Sequence, residues 1–189
     1  SRNVRCSDCH DVHSIKKVRE GNALCLQCHR ASIYDTKAHH FHKGKGEKGE
    51  PIKSLDGKVL FDVGTGAECV QCHMPQRPYM VIDYRADHSL RVPRPDLSIK
   101  LNTPNACNRC HVDKTDQWSN EYITKWYGPG RKAHYGTIID EGRKRSTQAH
   151  KDLIKLASDP LYPVIVRSTA LSLLAAYHGE ETSQAYELA

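Results

Sequence analysis

Apolar residues are thinly scattered over the first half of this chain and fall into helical periods only towards its end. TQAHKDLIKLASD (147–159) and YPVIVRSTALSLLAAYH (162–178) each repeat apolar positions at helical spacing, and Asp159-Pro160 separates them, so they read as two amphipathic helices. Upstream, KTDQWSNEYITKWYGPG predicts a helix that stops at Gly128-Pro129-Gly130, with Trp118, Tyr122 and Trp126 recurring every fourth residue as one aromatic stripe. Residues 43–66 open with a flexible Lys/Gly run. They then offer a hairpin, IKSL and KVLF flanking an Asp56-Gly57 turn. RVPRPDLS (91–98) is punctuated by proline and is expected to be extended. The fold class expected is therefore mainly α, with much irregular loop, little β and a C-terminal helical hairpin. No run reaches the 18 or so apolar residues of a membrane span, so no transmembrane segment is expected.

Composition sharpens this picture. In 189 residues the apolar share is 38%, with two Phe, which is little material for a protein-only core. Something else is expected to supply buried apolar surface. All eight cysteines fall in C-x-x-C-H strings: CSDCH (Cys6, Cys9, His10), CLQCH (Cys25, Cys28, His29), CVQCH (Cys69, Cys72, His73) and CNRCH (Cys107, Cys110, His111). This is the attachment signature of c-type haem. Two thiols at that spacing reach the two vinyl groups along one porphyrin edge, and the adjacent His addresses the iron. Two four-Cys zinc sites or a disulfide framework would leave the His after every second Cys unexplained. The expected cofactor is thus four haem c, with His10, His29, His73 and His111 as proximal ligands. The formal charge of +6 does not call for nucleic acid. Eight haem propionates, with about one positive charge left on each of four oxidised haem irons, would bring the oxidised holoprotein to roughly +2, so the basic residues read as propionate partners.

Eight further histidines could serve the far side of each iron. His13 lies three residues after His10, one helical turn on, and is expected to reach the second haem. In AHHFH, two of His39, His40 and His42 are expected to ligate different haems. The pair His39/His42 would share a helical face, and His40 is held in reserve. His88 completes the set, with His134 as a further reserve. His150 and His178 read as ordinary surface residues of the hairpin. Met74 follows His73 too closely to swing round to the same iron, and Met80 is a weak candidate beside so many histidines. Iron closed by two histidines has no position for substrate, so electron transfer is the expected function, with no catalytic residue. The alternative is a nitrite- or hydroxylamine-type oxidoreductase with one five-coordinate haem.

RCSDCHDVHS, GNALCLQCH, AHHFH, CVQCHMP, DHSLRVPRPDLS and TPNACNRCH, within residues 5–111, resemble the multihaem c-type cytochromes of bacterial and archaeal respiration. The resemblance implies bis-His haems, a tetrahaem domain over 1–112, a helix-and-loop connector packing on the haems over 113–145, and a helical segment over 146–189. The last segment, with its DP linker and P-x-x-V-R opening, resembles a HEAT-type hairpin; family members often continue into TPR or HEAT repeats. Some small tetrahaem members polymerise into extracellular filaments, which makes a homopolymer one expected partner beside redox proteins or terminal acceptors. The nitrite reductases carry a C-x-x-C-K site that this chain lacks. Haem attachment to C-x-x-C-H takes place outside the cytoplasm. The expected location is periplasmic, cell-surface or extracellular, with a signal peptide removed ahead of Ser1.

Overall fold

The computed structural model describes residues 4–177, 179, 182 and 186, so His178 lies outside the described residues. It is mainly helical with two small sheets, and it divides into two compact units, residues 1–93 with 105–115, and residues 94–104 with 116–189.

The first unit is built from single helical turns and loops. Its elements are α1 (Cys6–Cys9), a 3-10 turn (Gly21–Gln27), α2 (Ala31–Tyr34), α3 (Lys37–His40), β1 (Ile52–Lys53), β2 (Val59–Phe61), a 3-10 turn (Thr65–Ala67), α4 (Cys69–His73), β3 (Gln76–Tyr79), β4 (Asp83–Ala86) and a 3-10 turn (Cys107–Arg109). β1 and β2 pair antiparallel around Asp56-Gly57, where Gly57 takes φ +83° as a tight turn requires. β3 and β4 form a second hairpin, Gln76↔Ala86 to Tyr79↔Asp83. Nothing in the sequence announces it. Its loop turns on Met80 and Val81, with φ of 51° and 65°, where Asn or Gly is the usual signal. A β-branched residue in that region is strained. Among the described residues, no hydrophobic side chain of this unit belongs to the buried core, while Val12, Ile15, Leu55, Val81 and Ile82 are all exposed.

The second unit contains α5 (Pro95–Leu101), α6 (Asp116–Tyr127), α7 (Tyr135–Arg143), α8 (Ala149–Ser158) and α9 (Val164–Leu174). Residues 91–98 are therefore not all extended. A helix starts at Pro95, whose fixed φ suits the first helical position, and Arg94 ahead of it is non-helical. The Arg94 guanidinium forks onto the Asp96 carboxylate at 2.8 and 2.7 Å and donates to the Lys132 carbonyl at 3.0 Å. α5 packs on α6 and α7, and α7 on α8 and α9. In α6 the aromatic stripe packs on itself, with Trp118 and Tyr122 tilted at 4.6 Å and Tyr122 and Trp126 edge-on at 5.5 Å. The core is formed by Ile139, Ala149, Leu153, Leu156, Ala157, Val166, Ala170 and Leu174. Gly142 lets α7 come close to it, since a Cβ there would lie 3.0 Å from Leu153 Cδ1. At the DP linker the Asp159 carboxylate accepts from the Leu161 N–H at 2.8 Å, and Arg167 donates to the Ala157 carbonyl at 2.8 Å, closing the end of α8. His150 is not the ordinary surface residue expected. It is half-buried, parallel-stacked on Tyr177 at 5.2 Å and hydrogen-bonded to the Thr182 hydroxyl at 2.8 Å, because it lies on the packed side of α8.

Candidate functional site

Each C-x-x-C-H string folds as one helical turn. The backbone N–H of His10, His29 and His111 donates to the carbonyl of the first cysteine of its own string, at 2.8, 3.1 and 2.9 Å, and Cys69–His73 is itself helical. Such a turn puts the two thiols on one side with the histidine next to them. None of the eight cysteines is joined in a disulfide. Burial, followed by the nearby Cys25, pushes Cys69 up to about 11. Cys72 also rises to about 11, through burial and then Cys107 and Cys110. Both stay protonated at neutral pH.

Polar side chains tie successive strings together. Gln27 donates to the Asp8 carbonyl at 3.4 Å. Asn22 donates to Asp35 at 2.8 Å and to the Ala67 carbonyl at 3.0 Å, and accepts from the Cys69 N–H at 2.9 Å. Arg109 donates to Gln71 at 3.0 Å and lies over the Phe61 ring at 5.4 Å. None of these residues was singled out in the sequence; Gln27, Gln71 and Arg109 occupy the variable positions between paired cysteines, which carry no signal of their own.

Three of the four string histidines face another histidine. Ring centres are 6.3 Å apart for His10 and His88, 6.2 Å for His39 and His73, and 6.3 Å for His42 and His111. The His39/His73 planes are nearly parallel, at 7°. A metal–imidazole bond of about 2.0 Å puts the ring centre about 3.15 Å from the metal, so two imidazoles on opposite sides of one ion stand about 6.3 Å apart. The observed spacings equal that span. Among the described residues no three His, Cys, Asp or Glu side chains gather into a site for a bare ion. A pair supplies two nitrogens, and the four equatorial donors a porphyrin carries would complete six-coordination. The donor set therefore fits haem.

Hydrogen bonds set the tautomers. His10 Nδ1 donates to the Ile15 carbonyl at 2.9 Å, His73 Nδ1 to the Arg91 carbonyl at 2.7 Å, and His88 Nδ1 to the Ala86 carbonyl at 2.9 Å. His42 Nδ1 donates to the His40 carbonyl. A carbonyl can only accept, so Nδ1 carries the proton and Nε2 keeps its lone pair for a metal. Burial, then the His73 and His40 charges, holds His39 below the usual imidazole range; burial, then His42, does the same for His111. The neutral ring is the ligating form.

Two local expectations fail. His39 and His42 do not share a helical face, because Phe41 takes a left-handed φ of 56° and ends α3 before His42. His13 is not one helical turn beyond His10. α1 ends at Cys9, and the Asp11 carboxylate accepts from the N–H groups of His13 and Ser14 at 3.1 and 2.8 Å, folding a turn instead. His13 is exposed and meets no other ring among the described residues. His29, which it was expected to serve, has Tyr34 edge-on at 5.3 Å, and Tyr34 in turn meets His39 at 5.3 Å. The reserves have other work. His40 Nδ1 accepts from the His42 N–H at 3.1 Å, and His134 Nδ1 accepts from the Gly136 N–H at 3.0 Å as the cap of α7. Met80 stands exposed on the β3–β4 loop. Comparison with family models, curated proteins and solved structures finds no match to this chain, so what the site can do is argued from its own geometry.

Proposed function

We propose that this protein is an electron-transfer cytochrome carrying four covalently attached haems c. The observation that carries the reading is the set of three histidine pairs at 6.2 to 6.3 Å, each joining a C-x-x-C-H histidine to one from elsewhere in the chain. In this reading Cys6/Cys9, Cys25/Cys28, Cys69/Cys72 and Cys107/Cys110 form the thioether links. His10 with His88, His73 with His39, and His111 with His42 close three irons, and His29 holds the fourth, with His13 proposed to close its far side. Bound haem would supply one-electron chemistry at its iron. The chain's own part is to fix spacing, exclude ligands and tune potential through burial and through the backbone carbonyls behind the imidazoles. The thin apolar composition of the first unit supports the same reading, since porphyrins would provide the surface that its side chains do not. Among the described residues, no helix is long and apolar enough to cross a membrane. The partners proposed are redox proteins or terminal acceptors outside the cytoplasm, and copies of this chain in a filament.

The test is an absorption spectrum of the dithionite-reduced protein before and after carbon monoxide. Low-spin bands that the gas leaves unchanged are expected. A protein purified from a haem-maturing host with no covalent haem by mass would sink the proposal. One observation favours a second reading. His29 faces Tyr34 where the other three strings face a histidine, as an oxidoreductase with one five-coordinate haem requires. A carbon monoxide shift in about a quarter of the haem of the parent protein would select that reading.

A further inference from the structure

The loop 64–66 is the seat of the His42 imidazole. A Cβ placed on Gly66 would lie 2.4 Å from His42 Cδ2, 2.8 Å from Cγ and 3.2 Å from Nε2. Two residues earlier, Gly64 turns at φ +97°, and a Cβ there would stand 2.6 Å from both N and Cα of Lys45. The segment 42–45 therefore lies directly on the segment 64–66, with no side chain between them. The two glycines differ in what they demand. Gly64 needs both the left-handed backbone and the space, whereas Gly66 has no positive φ, so its backbone would accept alanine and only the imidazole objects.

We infer that Gly66 is a positioning residue for His42, holding that imidazole at the separation from His111 at which both can bind one iron. The inference rests on the reading of His42 and His111 as an axial pair. Carbon atoms in ordinary contact stand about 3.5 to 4.0 Å apart, so a methyl group at position 66 displaces the ring by about 1 Å. Ligand bonds tolerate about 0.2 Å. The Nε2–iron bond does not survive that displacement unless the loop itself yields, and Gly64 packed on the Lys45 backbone leaves the loop little room to do so.

The experiment compares Gly66→Ala, His42→Gly and Gly44→Ala in haem-loaded protein, reading the high-spin fraction by electron paramagnetic resonance and carbon monoxide uptake after reduction. Gly44 is the control, since a Cβ there would meet nothing within 4 Å. Gly66→Ala and His42→Gly should each open one more iron than the parent, about a quarter of the haem, and Gly44→Ala none. Opening by His42→Gly with Gly66→Ala unchanged would overturn the seat while leaving the axial pair intact. No opening by His42→Gly would instead remove the axial pair and the inference with it. If Gly66→Ala fails to assemble, the double variant Gly66→Ala/His42→Gly decides, because it has no ring to strike. Assembly with the same open iron as His42→Gly supports the inference, and failure of the double variant to assemble overturns it.

Discussion

His88 and His134 carry the same ring, yet their hydrogen bonds run in opposite senses. His88 Nδ1 gives its proton to the Ala86 carbonyl, while His134 Nδ1 takes one from the Gly136 N–H. The first arrangement leaves Nε2 with a free lone pair, and the His10 ring centre stands 6.3 Å away; the second puts the proton on Nε2 and makes the ring a helix cap. Replacement should separate them cleanly. His88→Ala is expected to open one more iron to carbon monoxide, and His134→Ala none, though it should cost about 1 kcal/mol through the lost cap, read by thermal melting of the helices. His40 belongs with His134, since its Nδ1 also accepts a backbone N–H. Spacing in AHHFH could not make that distinction. It is made by the left-handed residue at Phe41, whose aromatic side chain gives no sequence signal for such a turn.

Among the elements, the joints matter more than the turns they join. Asn22 sits in the 3-10 turn that leads into the second string, yet its amide spends all three bonds on residues 35, 67 and 69. Asn22→Ala strands the Cys69 N–H and the Ala67 carbonyl together, and is expected to destabilise the first unit by about 1–3 kcal/mol. A fall in the haem-band melting temperature with unchanged low-spin spectra would check it; an unchanged melt would show water replacing the amide. The elements differ in how far they could be read from the sequence. α8 and α9 follow from apolar period and the Asp159-Pro160 break, and β1–β2 from Asp56-Gly57, because in each case the signal is local. α5 is hidden because two prolines close together suggest extended chain, although the second serves as the first residue of a helix. β3–β4 escaped notice because Met80 and Val81 occupy turn positions against their own preference. The four strings were legible residue by residue. Which histidine each would face was not, since pairing 10 with 88 or 42 with 111 is decided by long-range folding.

For the molecule as a whole, the contrast lies between two ways of excluding water. Residues 94–104 with 116–189 own the described aliphatic core around Leu153, Leu156 and Leu174, all essentially inaccessible to solvent. Residues 1–93 with 105–115 contribute none of it. A chain made without haem attachment should therefore keep a cooperative melt of α7, α8 and α9 while the C-x-x-C-H segment exchanges its amide hydrogens freely. Protection of both units to the same degree in the haem-free chain would contradict this division.

The pairing of histidines also imposes an order in time. A polypeptide that crosses a membrane from its amino end presents His10 long before His88 has emerged, whereas His39 and His42 are already outside when His73 and His111 arrive. On the proposed pairing, the first iron must wait half-ligated while the 78 residues from His10 to His88 emerge, whereas the third and fourth can close as soon as their strings arrive. The earliest string would be the one of these three that waits longest for its partner, and the one that most needs shelter from adventitious ligands during maturation.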